Sequence, residues 1–238
     1  MKRSNKGMKM AMAIMAGFIA LYALDSCASG KNPNETAAIQ GGRFTLNLVP
    51  GSSYKFHTWW FIFPVPIYPQ VACWIETPQG EYLGTIYATA KGAKKAWVSA
   101  PAAGRPEALP VWFHLQEKGK AFADAVSGAT PSGATKRDSS LADSLKMGTY
   151  IVKLEINRSY DYNDRYTREN SGVVGQPSLI YECELAVGSG PSKAVFKPIG
   201  TGSLDGSDGD IRPTLEGITT ALHLLDSAEI SYLDGSSK

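Results

Sequence analysis

The segment Asp124-Ala125-Val126-Ser127-Gly128-Ala129-Thr130 has the residue types and spacing of a modification site. Thr130 supplies a hydroxyl that must be activated by another catalyst, because an alcohol has no useful acidity of its own. Gly128 and Ala129 remove side-chain bulk and allow close backbone approach. Ser132-Gly133-Ala134-Thr135 repeats the last four residues, but Ala129 stands where the acid should be, so Thr135 is the weaker candidate. The surrounding stretch, Glu117 to Met147, is rich in Ser, Ala, Gly and Thr. It has too little to bury to form core and reads as a surface loop or long crossover. Other chemistry is poorly served. His57, His114 and His223 lack metal-ligand spacing, no G-x-S-x-G elbow occurs, and no C-x-x-C exists. Asp205 to Asp210 resembles a calcium loop, but Gly209 and Asp210 occupy positions 5 and 6, where an EF-hand needs Gly at 6. It reads as a polar hairpin.

The Asp124–Thr130 segment resembles the flavinylation motif of exported FMN-binding domains, D-x-x-[S/T]-G-A-[S/T]. The resemblance implies covalent FMN, joined through its phosphate to Thr130 by a periplasmic FMN transferase. Ser127, Gly128 and Ala129 would be the recognition sequence and Asp124 the upstream acid. At average residue usage a chance match in a chain of this length is about one in a thousand, and the composition of this loop raises that about tenfold. A wider stretch, Val71 to Tyr150, is similar to a family of predicted periplasmic bacterial proteins that carries only a domain-of-unknown-function label. The matching pieces are VACWIETPQGEYLGTIY, Lys95-Ala96-Trp97, RPEALPVW from Arg105, DAVSGAT and Gly148-Thr149-Tyr150. Members are often small, exported and Ig-like, and some lie beside flavin transferases and membrane electron-transfer proteins. The resemblance implies an electron carrier with membrane or envelope redox partners, and transfers no catalytic residue. Trp112 leads into the loop and is the first candidate to stack a flavin, followed by Tyr160 and Tyr162. The rival reading is a flavin-free structural or ligand-binding envelope lipoprotein.

The elements that carry this segment begin with a targeting region. Lys2, Arg3, Lys6 and Lys9 precede an uncharged run of 15 residues, Met10 to Leu24. That is short for a membrane span and fits a secretory signal. Leu24-Asp25-Ser26-Cys27 resembles a bacterial lipobox with Cys27 as the acylated residue; Asp25 departs from the pattern, and cleavage after Ala28 is the alternative. Residues 1–26 are thus expected to be a signal peptide and 27–42 a polar tether. The expected location is the periplasmic or outer-envelope face, lipid-anchored. The formal charge of +2 is a targeting feature: residues 1–26 hold four basic residues and one acid, which leaves −1 on the remaining 212. Such near balance gives no electrostatic case for nucleic acid.

The chain is 43% hydrophobic and 19% charged, which excludes a disordered protein. Residues 43–238 read as one all-β domain: an antiparallel, Ig-like two-sheet sandwich with long loops and one short helix near the C-terminus. Expected strands are Arg43–Val49, the aromatic run Tyr54–Phe63, the hairpin Gln70–Glu76 with Tyr82–Ala88, Gly148–Arg158 and Leu179–Val187. The helix is expected over Leu215–Leu225, with Ala228–Leu233 as an edge strand. Val71, Ile75, Leu83, Ile86, Ile151, Leu154, Ile156, Leu185 and Val187 are expected in the core. Trp59, Trp60, Trp74, Trp97 and Trp112 are expected mainly to pack in the core and on sheet faces. Cys73 and Cys183 both point to apolar faces, either as a disulfide or as two buried thiols. A second long loop, Ser159 to Pro177, carries three tyrosines.

Overall fold

The computed structural model describes residues 41–90, 104–118, 127–128, 135–188 and 190–235. Alternating apolar residues with turn signals between them give strands, and the strands form the expected two-sheet antiparallel sandwich. The first sheet has the order β10 (Ser192–Val195), β12 (Leu225–Leu233), β1 (Arg43–Pro50), β7 (Thr135–Ser139). The second has the order β11 (Lys197–Thr201), β9 (Leu179–Val187), β8 (Gly148–Asn157), β4 (Gln70–Glu76), β5 (Tyr82–Thr89), β6 (Ser127–Gly128). Among these described strands the pairings are antiparallel except the short β5–β6 pair. Among the described residues, β2 (Phe56–Trp60) and β3 (Phe63–Ile67) pair with each other and with neither sheet.

The inner faces meet in one apolar core. Phe44, Leu46 and Leu48 of β1, with Ile230 and Tyr232 of β12, pack against Val71, Cys73 and Ile75, Val152, Leu154 and Ile156, and Leu179 and Leu185. The expected core residues are buried there, with two adjustments. Leu83 is half-buried at its margin. Ile151 lies on the other face of β8, because residues 152, 154 and 156 share the inner face at period two and 151 cannot. Cys73 and Cys183 both face the core but are free thiols. Cys73 pairs with Leu154 and Cys183 with Val152, so β8 stands between them. Two strand spacings, about 9–10 Å, exceed what a disulfide spans.

Four expectations are corrected by the tertiary packing. The helix expected at Leu215–Leu225 is a single 3-10 turn, Thr220–His223. Gly217 at φ +76° breaks it, and Ile218, Ala221 and Leu224 are buried from an irregular segment. Among the described residues the longest helix is instead α1 (Pro110–Lys118); another, α2 (Arg168–Ser171), is one turn. The C-terminal strand is not at an edge but between β1 and β10. The loop expected over 117–147 contains β6, β7 and a 3-10 turn at Leu141–Ser144. The aromatic strand breaks at Phe61 (φ +54°) and returns as β3.

Candidate functional site

Ser127 and Gly128 form β6 at the end of the six-stranded sheet, parallel to β5, with Ser127 opposite Ala88 and Gly128 opposite Thr89. Among the described residues no strand pairs with the far edge of β6. Asp124, Ala129, Thr130 and Cys27 lie outside the described residues, as do Trp97 and the 1–26 and 27–40 segments. Residues 129–134 connect β6, at the end of one sheet, to β7, at the end of the other. Thr135 is the first residue of β7 and pairs with Leu48.

The outer face of the six-stranded sheet is covered in part by α1. Val111 and Trp112, with Leu109, pack on Ala72, Trp74, Ala88 and Ile180 on the outer face of the sheet. The first helical residue is Pro110, which has no N–H to satisfy. The next two N–H groups donate to a buried carboxylate from the sheet: Val111 to Glu155 Oε1 (3.2 Å) and Trp112 to Glu155 Oε2 (2.8 Å). Ser178 Oγ also donates to Oε1 (2.7 Å). Glu155 thus does from a distant strand what an N-cap side chain does locally. Burial pushes its pKa up to about 7, against the opposing pull of these three hydrogen bonds.

Trp112, the expected flavin-stacking residue, is 2% exposed. Its indole N–H donates to Thr85 Oγ1 (2.9 Å), and Gln116 donates to the same oxygen and to Tyr82 Oη. In this arrangement the ring anchors α1 to the sheet and presents no open face to a flavin. It does share an apolar cluster with Ala88, the partner of Ser127, so the motif's dipeptide and Trp112 belong to the same corner of the fold. Trp74 in that cluster donates to Glu76 Oε1 (2.6 Å), and Glu76 is bridged by Lys153 (2.5 Å).

A second place has a groove and buried charge. Ser52, Ser53, Lys55, Phe56, Arg158, Tyr160, Asp161, Tyr162 and Thr220 line a cavity of about 460 Å³. Arg158 and Asp161 are buried and ion-paired at 2.5 Å. Arg158 also donates to the Ser53 carbonyl and lies over the Phe56 ring, 5.3 Å from its centroid. Thr220 donates to Asp161 Oδ1 (2.5 Å), while Asp161 Oδ2 and Arg158 Nε make no hydrogen bond among the described residues. Tyr160 is held at φ +63°, with its ring edge-on to Tyr162. Gly175 is required opposite, since a Cβ there would meet the Asp161 backbone at 2.5 Å. The two tyrosines thus stand in this groove, in the loop the sequence marked. The Arg158–Asp161 pair was missed; its signal is an arginine that ends an apolar strand.

The other candidates are accounted for locally. The Ser207 hydroxyl, Ser203 Oγ and the Ser207 N–H hold the Asp205 carboxyl well below the usual range. Asp208 forms a fork with Arg212 (2.8 and 3.0 Å), which lowers its pKa to about 2. This acidic loop is satisfied by its own bonds, as a polar hairpin should be. No cluster of three metal-ligating side chains occurs among the described residues. Burial raises the Cys73 thiol well above its ordinary value and the Cys183 thiol to about 12, so neither is a ready nucleophile. No family model, no curated protein and no solved structure matches this chain.

Proposed function

We propose that this protein is an exported, lipid-anchored electron carrier that holds FMN covalently on Thr130. The observation that carries the reading is the D-x-x-S-G-A-T sequence ending at Thr130. In the reaction that would load it, Thr130 Oγ attacks the FMN phosphorus of FAD. An Oγ–P ester bond forms, the pyrophosphate bond breaks, AMP leaves, and the hydroxyl proton passes to a base of the periplasmic FMN transferase. Support comes from the position of β6. Ser127 and Gly128 stand at the end of a sheet with one backbone edge unpaired among the described residues, which suits a segment that another protein must grip. Once attached, the flavin supplies the redox chemistry. The chain supplies attachment, orientation through the β5 edge, and anchorage through acyl-Cys27, and its partners are membrane or envelope redox proteins.

The test is intact-mass spectrometry after coexpression with an FMN transferase. The expected gain is about 438 Da, FMN less one water, mapped to the 120–137 peptide. Thr130→Val should lose it while the fold persists, Asp124→Ala should reduce loading, and Thr135→Val should leave it intact. Cys27→Ala should abolish detergent partitioning; a mature chain beginning at Ser29 would remove the acylated anchor. An unmodified mass under these conditions removes the flavoprotein reading. The flavin-free ligand-binding lipoprotein then stands, favoured by the groove around Tyr160, Tyr162 and the buried Arg158–Asp161 pair.

A further inference from the structure

The β2–β3 ribbon inverts the usual placement of apolar residues. Trp59, Phe61, Ile62 and Phe63 are 70, 88, 77 and 67% exposed, at the end of a hairpin that pairs with neither sheet. A cluster of large exposed apolar side chains marks an interaction site. Three features say what kind.

First, the ribbon is poorly made for adding a protein strand. Pro64 and Pro66 alternate along β3, opposite Trp59 and His57. A strand accepts proline only where the missing N–H would point away from its partner. The outer edge of β3 therefore lacks donors at every second residue, which blocks edge-to-edge pairing. The same absence lowers the cost of placing that edge in a medium without hydrogen-bond partners.

Second, the segment that forms the ribbon carries no acid, and the Asp161 carboxylate in the groove at its base is ion-paired with Arg158. No acidic residue occurs from Thr36 to Ile75, although the chain beyond residue 26 is slightly acidic overall. Lys55 and His57 are exposed at the base of the ribbon, and Lys55 Nζ lies 5.7 Å from the Tyr68 ring centroid. Aromatic residues at a tip with the Lys55 ammonium behind them match an anionic bilayer surface, where rings sit at headgroup depth and a lysine meets phosphates.

Third, the lengths agree. Five rungs of ribbon rise about 16 Å, more than the roughly 5–10 Å that an interfacial element sinks. The 16 residues from Cys27 to Gly42 reach about 50 Å when extended. That is of the same order as the combined length of β1 and the ribbon, about 42 Å before residues 51–55 between them are added, so an acylated Cys27 and the tip can meet the same membrane.

We infer that the Trp59–Phe63 tip is a wedge that inserts into an anionic phospholipid surface and sets the orientation of the anchored domain. The flavin plays no part in it. The inference uses the anchored reading for its geometry, and the two fail differently. Loss of the anchor shows as mature protein that does not partition into detergent, whereas loss of the wedge shows at Trp59 in anchored protein.

The experiment reconstitutes the full processed chain into vesicles of phosphatidylethanolamine and phosphatidylglycerol whose acyl chains are dibrominated near the middle. Subtracting the emission of Trp59→Phe from that of the wild type isolates Trp59. The expected result is a blue-shifted Trp59 component that loses most of its intensity relative to unbrominated vesicles. It should be restored by Phe61→Ser with Phe63→Ser. A Trp59 component quenched by aqueous acrylamide and untouched by bromine would overturn the wedge. A component shielded from both would overturn it as well, and would assign the tip to a protein contact or a second copy of the chain.

Discussion

Two regions of this molecule are rich in aromatic residues and spend them in opposite ways. Under α1, Trp74 and Trp112 are buried and each indole N–H has an acceptor, Glu76 and Thr85 respectively. On the β2–β3 ribbon, Trp59 and its neighbours are exposed. Their local composition is similar; their pairing is not. β4 and β5 lie inside a six-stranded sheet, so a helix can lie across them and close their outer face. Among the described residues β2 and β3 have only each other. A strand's apolar residues are buried when further strands give it a face to share, and two strands alone cannot build one.

The comparison can be broken at either end. The largest effect is expected at Trp112→Ala, which empties the contact between α1 and the sheet. It should cost about 3–5 kcal/mol, as buried aromatic truncations do, measured by denaturant unfolding. An effect below about 1 kcal/mol would mean that α1 is loosely held and that the two regions differ less than described.

A smaller and more specific effect is expected from Glu155. Its pKa rises from the ordinary carboxylate range to about 7 because burial outweighs its three hydrogen bonds. A raised carboxylic pKa means that folding favours the protonated form. Stability is therefore full below about pH 4.5 and falls as pH rises toward 7, by an amount on the order of 3 kcal/mol. Glu155→Gln should flatten that slope between pH 4.5 and 7.5. An unchanged slope would assign the pH dependence to other groups.

The smallest effect is expected on the ribbon. Phe63→Ser removes a large ring that is two-thirds exposed, so it should change stability in solution by no more than about 0.5 kcal/mol. A loss like that of Trp112→Ala would show that the tip is covered.

The sandwich was legible because its main strands carry period-two alternation with Pro/Gly turns, as at Thr77 to Gly80, where Gly80 takes φ +84°. Face assignments followed wherever the alternation was clean. They failed at Ile151, where Ile151 and Val152 are both apolar and only the ladder says which one faces in. Trp59 read as packing because an aromatic run has no local sign of exposure. α1 went unseen because its capping group, Glu155, is more than forty residues away in the chain and its Trp112 and Val111 anchors form only half a stripe. Of the candidate site, the sequence shows the chemistry of Asp124 to Thr130. It does not show that Ser127 and Gly128 pair with Ala88 and Thr89, because two small residues carry no strand signal of their own.

The pairing of β1 with β12 sets the order in which this chain can assemble. Arg43 lies opposite Leu233, so the first and last strands of the domain are neighbours. β12 is also the strand that joins β10 to β1. The four-stranded layer cannot close until almost the whole chain has emerged from whatever makes or moves it. Contacts this distant in sequence make for slow folding. The same connectivity makes the last strand indispensable: a truncation at Asp226 would remove a central strand and leave β1 with an unpaired edge.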